Sequence, residues 1–168
     1  SPTPLVPTYM LYKNAQGGFM ITASHNPKDQ NGIKKFLAFR GMKLLPQNDI
    51  KLTRKVLALD YKSLASKPQT GDLANCRDDA LEVFTRFSVH PENSWAESAN
   101  FSNMILVVDP ANGALSGIAV DIFRRSGFGQ VIEVNGKLDG NVNLHSGVAD
   151  LEGHKTISPA MIDPSSGS

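Results

Sequence analysis

The chain has 168 residues, enough for one ordinary domain or two small ones, and 40% of them are hydrophobic. Lys and Arg total 17 and Asp and Glu total 16, so the formal net charge is +1 and gives no electrostatic basis for binding nucleic acid or an anionic membrane. The single cysteine, Cys76, can neither close an internal disulfide nor supply a zinc cluster. Together with the absence of a leader pattern and of a membrane-length apolar run, these properties predict a cytoplasmic protein.

The first half of the chain has the pattern of an α/β segment. Leu5 to Tyr12 follows prolines that can open a short helix, and Gly18 to Thr22 is an apolar run of strand length. A continuous apolar run is typical of a strand covered on both faces. Ile33 to Phe39 predicts a second strand, and helices are expected from about Gln47 to Asp60 and from Asp79 to Phe87.

A polar connector, about residues 88–103, predicts a domain boundary before the run "MILVVDP", which predicts a strand. Gln130 to Val134 predicts another strand, and Gly127 is expected to cap the helix between them. Strand, helix and strand in this spacing predict a right-handed βαβ unit with parallel strands. We therefore expect domains at residues 1–90 and 104–168. The helix between the two strands of this unit is predicted by an apolar stripe, formed by Leu115, Ile118, Ala119, Ile122 and Phe123.

The two ends of the chain carry no clear structural pattern. The sequence begins "SPTPLV", without an initiator methionine, and closes with "DPSSGS". Both features predict that the sequence is a portion of a longer protein.

The stretch "GGFMITASHNPKDQNGIKKF" places a serine and a histidine at the end of an apolar strand. This edge of a sheet is where open α/β folds bind their ligands. A serine nucleophile needs a base, but the side chain of His25 diverges from that of Ser24 because the two are neighbours on an extended chain. The Gly-x-Ser-x-Gly pattern of serine hydrolases is also absent. Acyl transfer therefore fits poorly.

Phosphoryl chemistry fits the same residues better. A phosphoserine carries a charge of about −1.5 to −2 and three acceptor oxygens, so it needs donors and cations nearby. The Asn31-Gly32 pair predicts a tight turn that folds the following segment back along the strand and brings Lys34 near Ser24. Nearby donors and cations are available from His25, Asn26, Lys34 and Lys35.

Each of these residues also has a structural interpretation. Ser-His-Asn-Pro alone is an ordinary turn, Lys34 could be a solvated lysine on a strand edge, and His25 could serve the loop. Asn26 precedes Pro27, so its side chain is expected to bond nearby backbone and to cap or turn the loop.

The longer pattern "GGFMITASHNPKDQNGIK" resembles the active-site serine loop of the α-D-phosphohexomutases, the phosphoglucomutase and phosphomannomutase enzymes. The family signature is "GGIMITASHNP" followed by "NGxK", and the similarity covers nearly every position from Gly17 to Lys34. The "PTP" of Pro2 to Pro4 lies at the separation upstream where the family also carries it. "ILVVDPANGALSG", Ile105 to Gly117, and "LDGNVN", Leu138 to Asn143, resemble the start and middle of the family's second domain.

This resemblance implies an α/β fold with two partial three-layer α/β/α domains and mixed or mostly parallel sheets. The chain would cover the latter part of domain one and the start of domain two. Ser24 would carry a phosphoryl group, give it to a hexose phosphate and recover another from the bisphosphate, so that hexose 1-phosphate and hexose 6-phosphate interconvert. Lys34 would be a general acid/base or charge stabiliser, and His25 and Asn26 would orient the phosphate and the substrate.

The resemblance also implies a magnesium ion, held by the Ser24 phosphate and by three aspartates of an Asp-Gly-Asp-x-Asp-Arg loop. This sequence has no such loop, so Ser24 is the single metal ligand that can be assigned. We therefore expect the chain alone to be nearly inactive. A first domain without its opening strands would expose a sheet edge, which predicts self-association.

Two alternatives stay open. One is a short, non-catalytic relative that binds sugar phosphates or a protein partner, which the missing aspartate loop favours. The other is a serine hydrolase that pairs Ser24 with His90, His145 or His154, which the position of those histidines in polar connectors disfavours.

Overall fold

The computed structural model describes residues 1–26, 28–37, 39–66, 71–93, 100–144, 146, 153 and 155–156. Helices and strands occur where the sequence predicts them, and the α/β class is confirmed. Within the described ranges, no helix has both the length and the apolarity needed to cross a bilayer. The elements are α1 (Leu5–Tyr12), β1 (Gly17–Ile21), β2 (Ile33–Leu37), α2 (Pro46–Leu57), α3 (Tyr61–Ala65), α4 (Arg77–Val89), a 3-10 turn (Pro91–Asn93), β3 (Ile105–Val108), α5 (Ile118–Arg125) and β4 (Gln130–Glu133).

The expected helix from about Gln47 to Asp60 is α2, which ends at Leu57, and a further short helix, α3, follows the predicted span. Pro46 occupies the first turn of α2, where its missing N–H costs no hydrogen bond. Asp60 then begins α3, because its carboxylate accepts the backbone N–H of Lys62 at 3.1 Å. A capping aspartate at the end of the predicted span therefore starts a second helix, which the sequence analysis did not predict.

β1 and β2 form an antiparallel pair with Ile21 opposite Ile33. The predicted tight turn at Asn31-Gly32 is not formed: these residues lie at the end of the segment that joins the strands, beside Thr22, and the Asn31 side-chain oxygen accepts the Gly32 N–H at 3.0 Å. The Gly32 carbonyl accepts the Thr22 N–H at 2.8 Å and extends the ladder by one bond. The segment that joins the strands, residues 22–26 and 28–32, is called the serine loop below.

β3 and β4 pair in parallel, with Ile105 opposite Gln130, and α5 connects them. The predicted parallel strands are confirmed. Gly127 follows α5 with φ of 94°, in the left-handed region that favours glycine, so it ends the helix as predicted.

The buried core joins the two halves of the chain. Leu5 of α1 packs with Ala80 and Phe84 of α4, and Ile118 and Ile122 of α5 pack against this cluster. These three helices thus form one layer, and the strands of both halves lie beside it. This layer holds the serine loop of the first half near the turns of the second half.

The outer faces of the strands are not covered by the described residues. Phe19, Ile21 and Ile33 are 63%, 69% and 72% exposed, and Ile105 and Val107 of β3 are similarly exposed. The expectation that the first apolar strand is covered on both faces is therefore wrong for this chain. α1 lies against β1 and α5 lies against β4, on one face of each sheet. An apolar run indicates that a strand is hydrophobic but does not identify the element that covers it.

Gly18 permits α1 to lie close against β1. A Cβ atom at position 18 would lie 2.6 Å from Val6 Cγ1, whereas one at the neighbouring Gly17 would meet only ordinary contact, 3.4 Å from the Phe36 carbonyl oxygen. We expect Gly18→Ala to lower the free energy of unfolding by about 1–3 kcal/mol, the usual cost of overpacking. Denaturant titration measures it, with Gly17→Ala as the control. An equal effect of both substitutions would contradict the close packing of α1.

A charged cluster links the end of α1 to the start of α4. The Asp79 carboxylate accepts the Tyr9 hydroxyl at 2.8 Å and pairs with the Lys13 ammonium at 2.9 Å. The hydrogen bond from Lys13, then that from Tyr9, lowers the pKa of Asp79. The hydrogen bond to Asp79 raises the pKa of Lys13. Both shifts favour the charged pair.

This cluster predicts the pH dependence of stability. The lowered pKa of Asp79 gives stability that is present above the ordinary aspartate pKa, about 4, and lost as pH falls through the lower folded value. The raised pKa of Lys13 gives stability that is present below about pH 10 and lost as pH rises through the higher folded value. We expect Asp79→Asn to reduce the fall in melting temperature at both the acid and the alkaline end of a pH series.

Asp78 provides the matched control for this profile. Its side chain is 93% exposed and pairs with the adjacent Arg77. Asp78→Asn should therefore keep the fall in melting temperature at both ends, and a profile in which Asp78→Asn and Asp79→Asn are indistinguishable would refute the assignment.

Candidate functional site

A cleft of about 620 Å³ lies between the serine loop and the second half of the chain. Its walls come from the motifs that the sequence analysis relates to chemistry: the "PTP" segment, the serine loop, the turn after β3 and the "LDGNVN" turn. The lining includes Pro2, Thr3, Pro4, Ser24, His25, Asn26, Pro110, Gly113, Gly140 and Asn143. Segments far apart in sequence therefore meet around Ser24.

Ser24 has an unusual backbone conformation at the end of β1. Its φ is 65°, in the left-handed region that a non-glycine residue seldom adopts and that costs of the order of 1 kcal/mol. The Ser24 N–H donates to the Thr22 hydroxyl oxygen at 3.1 Å, and the Asn26 N–H donates to the Ala23 carbonyl at 3.3 Å. These bonds hold the tight turn that presents Ser24 in the cleft.

Lys34 reaches Ser24 from the neighbouring strand. It lies opposite Met20 in the ladder, and its Nζ donates to Ser24 Oγ at 3.3 Å. The predicted proximity of Lys34 to Ser24 is therefore observed, although it follows from the pairing of β1 with β2 and not from a tight turn at Asn31-Gly32. Lys35 points elsewhere, because its Nζ lies 5.7 Å from the centre of the Phe19 ring on the exposed face of the hairpin. Of the two lysines, Lys34 is the one beside the serine.

Asn26 and His25 both line the cleft. The Asn26 side chain donates from Nδ2 to Gln30 Oε1 at 2.7 Å, across the serine loop. The expectation that this side chain bonds nearby backbone is therefore corrected: its printed partner is a side chain of the same loop. His25 is exposed at the same place.

Three residues that contact across the cleft were missed by sequence reasoning. Asn143 Nδ2 donates to the Asn26 carbonyl at 3.1 Å, and Lys28 Nζ donates to Asn141 Oδ1 at 3.4 Å. The "LDGNVN" pattern marked the two asparagines as part of a motif, but nothing in it indicated the serine loop as their partner.

The histidines proposed for a hydrolase do not join Ser24 in the described residues. His90 lines a different cleft, near Pro7, Leu11 and Phe87, and its Nδ1 accepts the Glu92 N–H at 3.3 Å. His145 and His154 lie outside the described residues.

The described residues do not fit a complete magnesium site. Nowhere in these ranges do three His, Cys, Asp or Glu side chains come together in a way that could hold a metal ion. A phosphate on Ser24 would supply one anionic ligand, and Mg²⁺ prefers an octahedral set of oxygens. Further ligands would have to come from elsewhere.

Residues 1–62 match the family model described as phosphoglucomutase/phosphomannomutase, alpha/beta/alpha domain I. The phosphoglucosamine mutase of Nautilia profundicola is 34% identical over 152 residues, 90% of this chain and 33% of that protein. The phosphoglucosamine mutase of a Nostoc species is 33% identical over 155 residues, 90% of this chain and 30% of that protein. Phosphoglucosamine mutase 2 of Shewanella amazonensis is 30% identical over 158 residues, 92% of this chain and 34% of that protein. The chain spans about a third of the length of these relatives.

A solved structure shares the fold. The crystal structure of a phosphoglucomutase/phosphomannomutase family protein from Burkholderia thailandensis aligns with a TM-score of 0.51 and 22% identity. The alignment covers 76% of this chain and 24% of that one. This chain therefore shares the α/β fold of part of that protein.

The Thr22 hydroxyl should stabilise the backbone turn at Ser24, because it accepts the Ser24 N–H. We expect Thr22→Val to speed amide hydrogen exchange at Ser24 by about three- to tenfold, the equivalent of a hydrogen bond worth about 0.5–1.5 kcal/mol. Thr22→Ser keeps the hydroxyl and should leave the exchange rate nearly unchanged. Unchanged exchange in Thr22→Val would show that the hydroxyl does not hold the turn.

Proposed function

Because the chain belongs to the phosphohexomutase family, we propose that it is the serine-loop portion of an enzyme that interconverts hexose 1-phosphate and hexose 6-phosphate. Ser24 would carry the phosphoryl group, with a bisphosphorylated sugar as the intermediate. The observation that carries this proposal is the Lys34 ammonium 3.3 Å from Ser24 Oγ. A fixed cation beside a serine oxygen in an open cleft suits phosphoryl transfer.

The transfer can be written with the residues of this chain. A sugar hydroxyl oxygen attacks the phosphorus, the bond between phosphorus and Ser24 Oγ breaks, and negative charge develops on Oγ. The Lys34 ammonium stabilises that charge and can supply the proton that Oγ takes up. The proton that the sugar hydroxyl loses then passes through solvent in the open cleft to the neutral Lys34 amine and restores the ammonium, so each half-reaction conserves protons. In the return step Ser24 Oγ attacks the other phosphate of the bisphosphate.

We assign the remaining predicted residues to substrate contact. His25 and Asn26 line the cleft beside Ser24, where they can donate hydrogen bonds to a phosphate or a sugar hydroxyl. The division into domains at residues 1–90 and 104–168 belongs to the same proposal. The magnesium requirement and the cytoplasmic location stay predictions from the sequence and the resemblance.

The substrate we favour is an amino-hexose phosphate. The sequence resemblance pointed to glucose and mannose phosphates, but the relatives reported above are named phosphoglucosamine mutases. Glucosamine 1-phosphate is therefore the first compound to test, with glucose 1-phosphate and mannose 1-phosphate beside it.

Ser24→Ala tests the phosphoryl carrier in the longest natural form of the protein that contains this sequence. Loss of the covalent nucleophile should remove phosphate from the serine-loop peptide, measured by mass spectrometry, and lower kcat at least about a thousandfold. Ser66→Ala is the control, because Ser66 ends α3 and its hydroxyl bonds only the Ser63 carbonyl among the described contacts. Undiminished turnover in Ser24→Ala would refute the proposal. Sugar-phosphate binding without turnover in the unsubstituted protein would favour the non-catalytic relative.

Lys34→Met tests the charge beside the serine. Removing a fixed donor from the transferring group should lower kcat by about a hundredfold or more. Lys35→Met provides the control because Lys35 is adjacent in sequence but faces Phe19. Equal losses in the two variants would mean that the Lys34 contact has no special part in the reaction.

A further inference from the structure

Asn143 links segments that are far apart in the chain. Its N–H donates to the Ala111 carbonyl in the turn after β3 at 2.9 Å. Its side-chain Nδ2 donates to the Asn26 carbonyl in the serine loop at 3.1 Å. Its φ of 62° lies in the left-handed region, which asparagine tolerates better than most residues. One half-buried side chain thus connects the second half of the chain to the serine loop.

The turn after β3, to which Asn143 is bonded, is itself held by side-chain hydrogen bonds. The two oxygens of Asp109 accept the Ala111 N–H and the Asn135 side-chain N–H, both at 2.8 Å. Asn112 Oδ1 accepts the Lys137 N–H at 2.9 Å. These bonds join the ends of β3 and β4, so Asn143 is held by a fixed frame.

The other end of the link lies close to Ser24. Asn26 is two residues after Ser24, and its N–H closes the tight turn onto the Ala23 carbonyl. The position of the Asn26 carbonyl therefore affects the direction in which Ser24 Oγ points toward Lys34. Phosphoryl transfer depends steeply on such alignment, because displacements of about 1 Å can cost about a hundredfold in rate.

We propose that Asn143 is a positioning residue: its carboxamide fixes the Asn26 carbonyl and thereby the orientation of Ser24 in the cleft. The consequence for turnover rests on the proposed function, whereas the structural link does not. The inference extends that function, because it gives the second half of the chain a part in phosphoryl transfer.

Asn141 offers a matched comparison two positions earlier. Its Oδ1 accepts a hydrogen bond from Lys28, so a carboxylate at position 141 would keep the contact. At position 143 a carboxylate would lose the donor and place an oxygen against the Asn26 carbonyl oxygen. The same chemical change thus has opposite consequences at the two sites.

The experiment compares Asn143→Asp with Asn141→Asp in the full chain. We expect Asn143→Asp to speed amide exchange at Asn26 by about three- to tenfold and to lower kcat about tenfold, because one lost hydrogen bond corresponds to such factors. KM for the sugar phosphate should change less than about twofold, because misalignment weakens the transition state more than the ground state. Asn143→Gly keeps the left-handed backbone but lacks the side-chain donor, so it should change exchange at Asn26 and kcat as Asn143→Asp does. Asn141→Asp should change neither exchange nor kcat.

Each outcome decides a different point. Unchanged exchange at Asn26 in Asn143→Asp overturns the inference, and so do equal effects in Asn141→Asp, which would indicate added charge as the cause. Faster exchange with undiminished kcat overturns the positioning role. An unsubstituted protein with neither phosphate on Ser24 nor mutase activity refutes the proposed function, and faster exchange confined to the position 143 variants would then still support the link.

Discussion

The register between β1 and β2 is the constraint on which the site depends. Because Ile21 lies opposite Ile33, Lys34 lies opposite Met20, on the face that also carries Gly18 and the buried Phe36. A slip of one residue would move every side chain to the other face and take the ammonium away from Ser24. The packing of α1 against Gly18 and the burial of Phe36 hold this register, so the chemistry of the serine loop rests on hydrophobic packing beneath it.

The helix layer supplies the second condition, because it brings the two halves of the chain together. Contact between α4 and α5 aligns the turns after β3 and β4 with the serine loop, and the cleft forms between them. Hydrogen bonds from Lys28 and Asn143 then cross this boundary. A phosphoryl carrier in this cleft would be positioned by both halves, which agrees with a similarity to phosphoglucosamine mutases over about nine tenths of the chain.

The exposed faces of the strands agree with a segment of a larger fold. Phe19, Ile21, Ile33, Ile105 and Val107 present apolar surface away from the helix layer, and the chain spans about a third of the relatives it matches. Self-association through exposed sheet edges stays a prediction. The residues that would complete a magnesium site are likewise not among those described, so the proposed chemistry is built on Ser24 and Lys34.

Much of this protein was determined by the sequence itself. Apolar periodicity located the helices and strands, the sequence analysis placed Lys34 near Ser24, and the serine-loop pattern indicated the family, because such signals are local and each depends on a few neighbouring side chains. The tertiary structure alone decided the left-handed backbone at Ser24, the absence of a tight turn at Asn31-Gly32, the uncovered strand faces and the bond from Asn143 to Asn26. Those features depend on which distant segments pack together. The residue type shows that a side chain can form a hydrogen bond, but it does not identify the partner.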